Sequence, residues 1–389
     1  MKLHLIATTT FGLEAVVRRE IEALGMRVEK TENGKVTFLG DERAVVRANL
    51  WLRCADRVMI RMAEFDAVES EDLYQQVMAI PWENYILPDD KFTVHVSTVK
   101  SHLRSEPINQ KTVKKAIIVR LGQIYGIDWF PETGPLHDIY VSLLKDRVTI
   151  SMDTSGAGLH KRGYREHSVK APIKETLASA MVQLSFWNPD RLLLDPCCGS
   201  GTIAIEAAMI GRNIAPGLDR EFAAEHWEFI DPQLWKEERR AAYAAIDYDR
   251  KMQLAVSDID PKALHAAALN AENAGVEDCI VFKRCDIADC LKTLESAGIM
   301  AADGFPEGAV VISNLPYGVR IADNKALLHI YETLEVWLRD RKASFYFITP
   351  EKKFEKLLQR QADRRRKLYN GNIETTYFQF YGERPSRRD

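Results

Sequence analysis

Four short motifs in the second half of this 389-residue chain carry residue types that bind and polarise small polar groups. They read "DPCCGSGT" from Asp195 to Thr202, "VSDID" from Val256 to Asp260, "KRCD" from Lys283 to Asp286, and "SNLPYG" from Ser313 to Gly318. Ligands of open α/β sheets settle beyond the carboxyl ends of the strands, so four motifs at strand ends predict one site. In the first, Gly199 and Gly201 let backbone approach a ligand, and a helix opening at Thr202 favours a carboxylate at its N-terminus. Asp195 and Cys197 share that loop. Asp258 ends the second strand, where an acid suits a ribose diol. Asp260, directly before Pro261, reads instead as a helix cap. Asp286 ends the third strand, placed to accept from an exocyclic amine of adenine.

The fourth motif suits a different task. An exocyclic amine on a purine is a poor nucleophile, because its lone pair is delocalised into the ring. The Asn314 side-chain oxygen and the Leu315 carbonyl could accept its two N–H groups, favouring a pyramidal nitrogen aimed at an electrophile. Pro316 shapes the turn, and Tyr317 offers a face for a base lifted out of its stack. Any one of these residues is more often a cap or a turn. Three acidic strand ends followed by an amide and a ring shift that balance toward catalysis.

The elements that must hold these motifs are legible in the pattern. From about Ala171, apolar runs ("RLLLD", "MQLAVSD", "IVFKRCD", "GAVVISN", "ASFYFITP") alternate with amphipathic stretches, which predicts a doubly wound parallel sheet. The tail "RKLYNGNIETTYFQFYG" predicts a hairpin turned at Asn370-Gly371. The first part reads βαββαβ, a ferredoxin-like order, with a turn at Asn33-Gly34 and a helix capped by Asp41. A second unit follows, with two strands joined at Lys145-Asp146. The glycine-rich, charged stretch "TSGAGLHKRGYREHS" predicts a domain boundary.

Composition narrows the class. A net charge of −3 gives no molecule-wide basic field, so any nucleic-acid site is a local patch. No stretch is apolar enough to span a membrane, and "MKLHLIATTT" reads as a first strand rather than a leader. Six cysteines without a CxxC pair suggest reduced thiols in the cytoplasm and no zinc site. Cys197 and Cys198 read as small packing residues. A cysteine-based pyrimidine C5 chemistry is disfavoured, since no Cys accompanies "SNLPYG".

In this order, the four motifs resemble those of class I S-adenosylmethionine-dependent methyltransferases acting on amino groups. With "LHKRGYREHSVKAPIKETLA" and "NIAPGLDREFAAEHW", nearly the whole chain resembles the bacterial THUMP-domain RNA methyltransferases, related to the large-subunit rRNA guanine-N2 enzymes. The resemblance implies a Rossmann-like methyltransferase domain preceded by ferredoxin-like and THUMP α+β units. It implies boundaries at 1–67, 68–155 (THUMP, RNA-binding), a linker at 156–170 and a catalytic domain at 171–389. S-adenosylmethionine is the implied cofactor, bound by Asp195, Cys197, Gly199, Gly201, Thr202, Asp258, Asp286 and Asn314, with Asn314, Leu315, Pro316 and Tyr317 catalytic. One departure stands out. The family pattern usually has Pro where this chain has Leu315, which predicts a less rigid turn.

Two basic clusters fit an RNA partner through phosphate contact: Lys100, Arg104, Lys111, Lys114 and Lys115, then Lys161, Arg162 and Arg165 around Tyr164. Residues 1–160 are expected to bind RNA, and residues 161–389 to bind cofactor, each without the other. Competing readings are a catalytically silent RNA-binding assembly factor and an adenine-N6 methyltransferase. A DNA target is disfavoured by the two small α/β units that precede the catalytic core.

Overall fold

The computed structural model describes residues 1–166, 172–302, 304–317 and 325–383. Gly318 of the fourth motif and residues 167–170 of the expected linker lie outside them. No helix among the described residues is long and apolar enough to cross a membrane. The chain divides into two compact units, one of residues 1–9, 17–159 and 220–241, the other of 10–16, 160–219 and 242–389.

The first unit begins β1 (Leu3–Thr8), α1 (Glu14–Ala23), β2 (Arg27–Glu32), β3 (Lys35–Gly40), α2 (Glu42–Trp51) and β4 (Arg57–Asp66), the expected βαββαβ order. Its local signals act as the sequence suggests. Gly34 takes a positive φ of 76° in the β2–β3 turn, and the Asp41 carboxylate accepts from the Ala44 N–H at 2.9 Å to cap α2. Next come α3 (Ser70–Met78), β5 (Lys91–Val99), α4 (Glu106–Tyr125), β6 (Leu136–Leu144) and β7 (Arg147–Asp153). The strands form one continuous sheet ordered β2-β3-β1-β4-β7-β6-β5. Ten-residue β4 makes the join: Ile60 pairs with Leu5 of β1 on one side and with Met152 of β7 on the other. Pattern reading separates two subdomains here because sheet continuity is a long-range pairing with no local mark.

Residues 220–241 join this unit through aromatic packing. The Trp227 ring stacks on His137 with centroids 4.7 Å apart and planes at 18°, and its indole N–H donates to the Leu136 carbonyl at 3.2 Å. Arg43 adds ion pairs at 2.7 Å to Glu237 and Glu238. A fragment ending at residue 160 therefore leaves His137 without its cover. Trp227 is 2% exposed, and Trp227→Ala is expected to destabilise this unit by about 3–5 kcal/mol, the range for deleting a buried aromatic. Urea unfolding followed by circular dichroism checks it; a loss near zero would show that the excursion is only draped on the surface.

The second unit carries α5 (Glu175–Gln183), β8 (Leu193–Asp195), α6 (Thr202–Gly211), β9 (Leu254–Asp258), α8 (Pro261–Asn273; α7 is Pro232–Ala244), β10 (Ile280–Arg284), α9 (Cys290–Ser296), β11 (Val310–Asn314), α10 (Lys325–Trp337), β12 (Ser344–Thr349), α11 (Phe354–Leu357), β13 (Arg364–Asn370) and β14 (Ile373–Phe380). Strand order is β10-β9-β8-β11-β12-β14-β13, with β8 to β12 parallel and β14 antiparallel to β12. The order reverses between β8 and β11, so their carboxyl ends flank the crevice where such sheets bind ligands. An aromatic core (Phe345, Phe347, Phe354, Phe378 and Phe380 with Tyr331) fixes the β11–β12–β14 side.

Candidate active site

All four strand-end motifs open on one cavity of about 440 Å³, whose wall includes Asp195, Gly199, Asp258, Asp286, Asn314 and Tyr317. Cys197, Thr202, Leu315 and Pro316 line it as well. Gly201 sits behind the wall. At φ 78°, a Cβ there would meet the Ala267 Cβ at 2.9 Å, so glycine lets the start of α6 close against α8. Gly199 also takes a positive φ, 53°, which turns its N–H toward Asp258.

Asp195 is a supporting group. Its carboxylate is 1% exposed and accepts from the Ser313 hydroxyl at 2.7 Å and the Cys197 N–H at 3.2 Å. It thereby ties the end of β8 to β11 beside Asn314. Burial pushes its carboxyl up to about 7, and those two hydrogen bonds offset only part of the shift. The folded chain thus holds this proton more tightly than the unfolded one. The stability it gives is complete below the ordinary 3.8 and is lost as pH rises through about 7. Asp195→Asn should therefore gain stability relative to the parent chain progressively between pH 4 and 7. Urea titrations across that window check it, and a constant difference between the two proteins would contradict it.

Asp258 accepts from the Gly199 N–H with one oxygen and from the Asp260 N–H with the other, both at 2.9 Å. A carboxylate oxygen has two lone pairs, so both remain able to receive a hydroxyl from the cavity. Asp260 accepts from the Lys262 N–H at 2.9 Å and caps α8, as its place before Pro261 suggests. Asp286 combines both readings of a strand-end acid. It accepts from the Ala288 N–H at 2.9 Å as a cap and pairs with His329 at 2.8 Å. These bonds, the Ala288 N–H first, hold its carboxyl below the usual range. His329 on α10 has no local sequence signal; its partner is 43 residues away.

Asn314 is half-buried at the cavity wall, and its side-chain amide takes no hydrogen bond from any described residue. The neighbouring turn is firmer than the missing proline suggests. Leu315 is fully buried and sits in the core with Leu327 and Tyr331. Its N–H donates to the Ile348 carbonyl at 3.3 Å, a bond proline cannot make. Tyr317 is held from a distance, as its hydroxyl accepts from the Asn370 amide at 2.9 Å. Cys197 and Cys198 fill space: burial raises both thiols well above their ordinary value, so neither is a thiolate.

The basic residues sort into two groups. Arg162 cannot reach a phosphate, because it is 3% exposed and pairs with Glu206 at 3.3 Å beneath Tyr164. Arg165 is also turned inward, donating to the Ile173 carbonyl at 2.8 Å and the Thr202 hydroxyl at 2.7 Å. Sequence composition could not separate these from Lys161, which is exposed. In the first unit, Lys114 lies 3.9 Å from Glu132 and Lys115 lies over the Tyr74 ring. Lys100 and Arg104 are exposed and line a separate polar hollow of about 370 Å³ with Thr98, Ser101 and His102. Neither they nor exposed Lys111 has an ionic partner among the described residues.

Three family models match the chain. Residues 162–379 match the RMKL-like methyltransferase domain, residues 4–59 the RlmL ferredoxin-like domain and residues 67–153 the THUMP domain. The chain is 44% identical to the Bacillus subtilis (strain 168) protein called "Putative RNA methyltransferase YpsC", over 100% of this chain and 98% of that one. A Listeria monocytogenes str. 4b F2365 structure, called a "predicted N6-adenine-specific DNA methylase", is 43% identical with a TM-score of 0.90, covering 98% of this chain and 97% of that one. The structure of SMU.472, "a putative methyltransferase complexed with SAH", is 39% identical with a TM-score of 0.89 and covers 99% of both chains.

Proposed function

This chain belongs to the RMKL-like methyltransferase family, and on that footing we propose that it methylates the exocyclic N2 amine of a guanosine in large-subunit rRNA. Its cofactor is S-adenosylmethionine, which supplies an electrophilic methyl group when bound. The cavity suits it in size and in chemistry: Asp258 for the ribose hydroxyls, Asp286 for the adenine edge, and the turn at Gly199 for close backbone approach.

One observation carries the reading. Asn314 presents an amide with no hydrogen-bond partner among the described residues at the cavity wall, next to the Leu315 carbonyl, on a turn fixed by Leu315 burial. Two oxygens that accept the amine's N–H groups strengthen their hydrogen bonds as positive charge develops on nitrogen. They therefore favour the transition state over the ground state. Tyr317, braced by Asn370, offers its ring to the base. The THUMP match and the exposed cations Lys100, Arg104 and Lys111, which have no ionic partner among the described residues, support an RNA substrate.

A second reading, adenine N6, is favoured by the same Asn314 amide, which suits either amine, and by the name of the Listeria relative. The test is methyl transfer from labelled S-adenosylmethionine to ribosomal RNA of a deletion strain, followed by mass spectrometry of nucleosides. N2-methylguanosine in large-subunit RNA is expected. N6-methyladenosine would move the target, and no transfer with intact cofactor binding would favour the silent assembly factor.

A further inference from the structure

Arg165 is a partly buried cation that the proposed chemistry does not use, and its contacts converge on one wall of the cofactor cavity. One guanidinium nitrogen donates to both the Ile173 carbonyl at 2.8 Å and the Thr202 hydroxyl at 2.7 Å. Ile173 and Thr202 line the cavity, and Arg165 does not. The other terminal nitrogen lies 3.5 Å from Glu175, with side-chain exposures of 12% and 6%. The Arg165 Nε and one Glu175 oxygen are buried without a hydrogen-bond partner among the described residues. Unsatisfied buried atoms such as these cost stability, since each loses its hydration. The pair instead pins the segment ahead of α5 to the first residue of α6. Close by in sequence, buried Arg162 and Tyr164 both bond Glu206 of α6.

This wall faces a defined part of the ligand, if the cofactor reading holds. With the nucleoside on Asp258 and Asp286, and the reacting methyl toward Asn314, the amino-acid arm is left the sector bounded by Ile173, Ser200 and Thr202. Main-chain N–H groups at the start of α6 are the donors there for a carboxylate. We propose that Arg165 is a positioning residue for the amino-acid arm of the cofactor, acting through Ile173 and Thr202 rather than by contact.

The experiment compares S-adenosylhomocysteine, which has the arm, with 5′-methylthioadenosine, which lacks it, on the full chain by calorimetry. Arg165→Gln should weaken S-adenosylhomocysteine about tenfold or more, a clear loss on the affinity scale, and leave 5′-methylthioadenosine within about twofold. Its KM for S-adenosylmethionine should rise while kcat at saturation is kept. Arg165→Lys, which keeps the charge and one donor, should recover part of the loss if the glutamine variant folds poorly. Equal weakening of both ligands, or of neither, overturns the assignment while leaving the cofactor reading intact. A parent chain that binds neither ligand overturns both.

Discussion

Asn314→Ala should lower methyl transfer by two to four orders of magnitude while leaving S-adenosylhomocysteine affinity within about threefold of the parent chain. The size follows from losing one preorganised acceptor at a centre that gains charge, which costs on the order of 10²–10³, with lost orientation of the amine added to it. The split follows from the structure. The amide has no partner among the described residues, so its removal disturbs no described hydrogen bond, and Asp258 and Asp286 remain to hold the nucleoside. Asn314→Asp is the sharper comparison, because it keeps the acceptor oxygen. Single-turnover assays on ribosomal RNA with calorimetry of the cofactor product measure both quantities. Activity within threefold of the parent would remove Asn314 from the amine site.

Much of this arrangement was legible before any coordinates. Parallel strands in open sheets deliver their C-terminal residues to one crevice, so short motifs at four strand ends were enough to predict a shared cavity. Caps and turns were equally legible, because Asp41, Asp260 and the glycines at 34 and 371 act on neighbours within a few residues. What escaped is long-range. Ser313 bonds Asp195 from 118 residues away, and Asn370 braces Tyr317 across 53 residues. Neither spacing has a local signature. Arg162 and Arg165 were misplaced for a related reason: a basic run records charge, and whether an arginine faces solvent or a buried glutamate depends on Glu206 and Glu175 elsewhere in the fold. The replacement at Leu315 misled in the other direction. Losing a proline looks like losing rigidity, yet the restored N–H finds Ile348 and the side chain finds the core.

Reversing charge at Lys100, Arg104 and Lys111 together should weaken RNA binding by about a hundredfold at physiological salt and flatten its salt dependence. The structure selects these three over the neighbouring lysines. Lys114 is within reach of Glu132, and Lys115 rests on Tyr74, so their charges are partly engaged already. Lys100, Arg104 and Lys111 are exposed and carry no ionic partner among the described residues, and Lys100 and Arg104 share a hollow with the Thr98 and Ser101 hydroxyls. If each neutralises one phosphate of a single strand, losing three contacts lowers the slope of log K against log salt by about 2, at roughly 0.7 per contact. Sequence preference should be unchanged, since phosphate contacts fix position without reading bases. Cofactor affinity should also be unchanged, because no residue of the cavity wall is altered. Filter binding across a salt series, with the cofactor product titrated in parallel, separates the outcomes. A parallel downward shift with an unchanged slope would mean the variant has lost shape rather than phosphate contacts, and unchanged affinity would move the RNA surface off the β5–α4 loop and the start of α4 altogether.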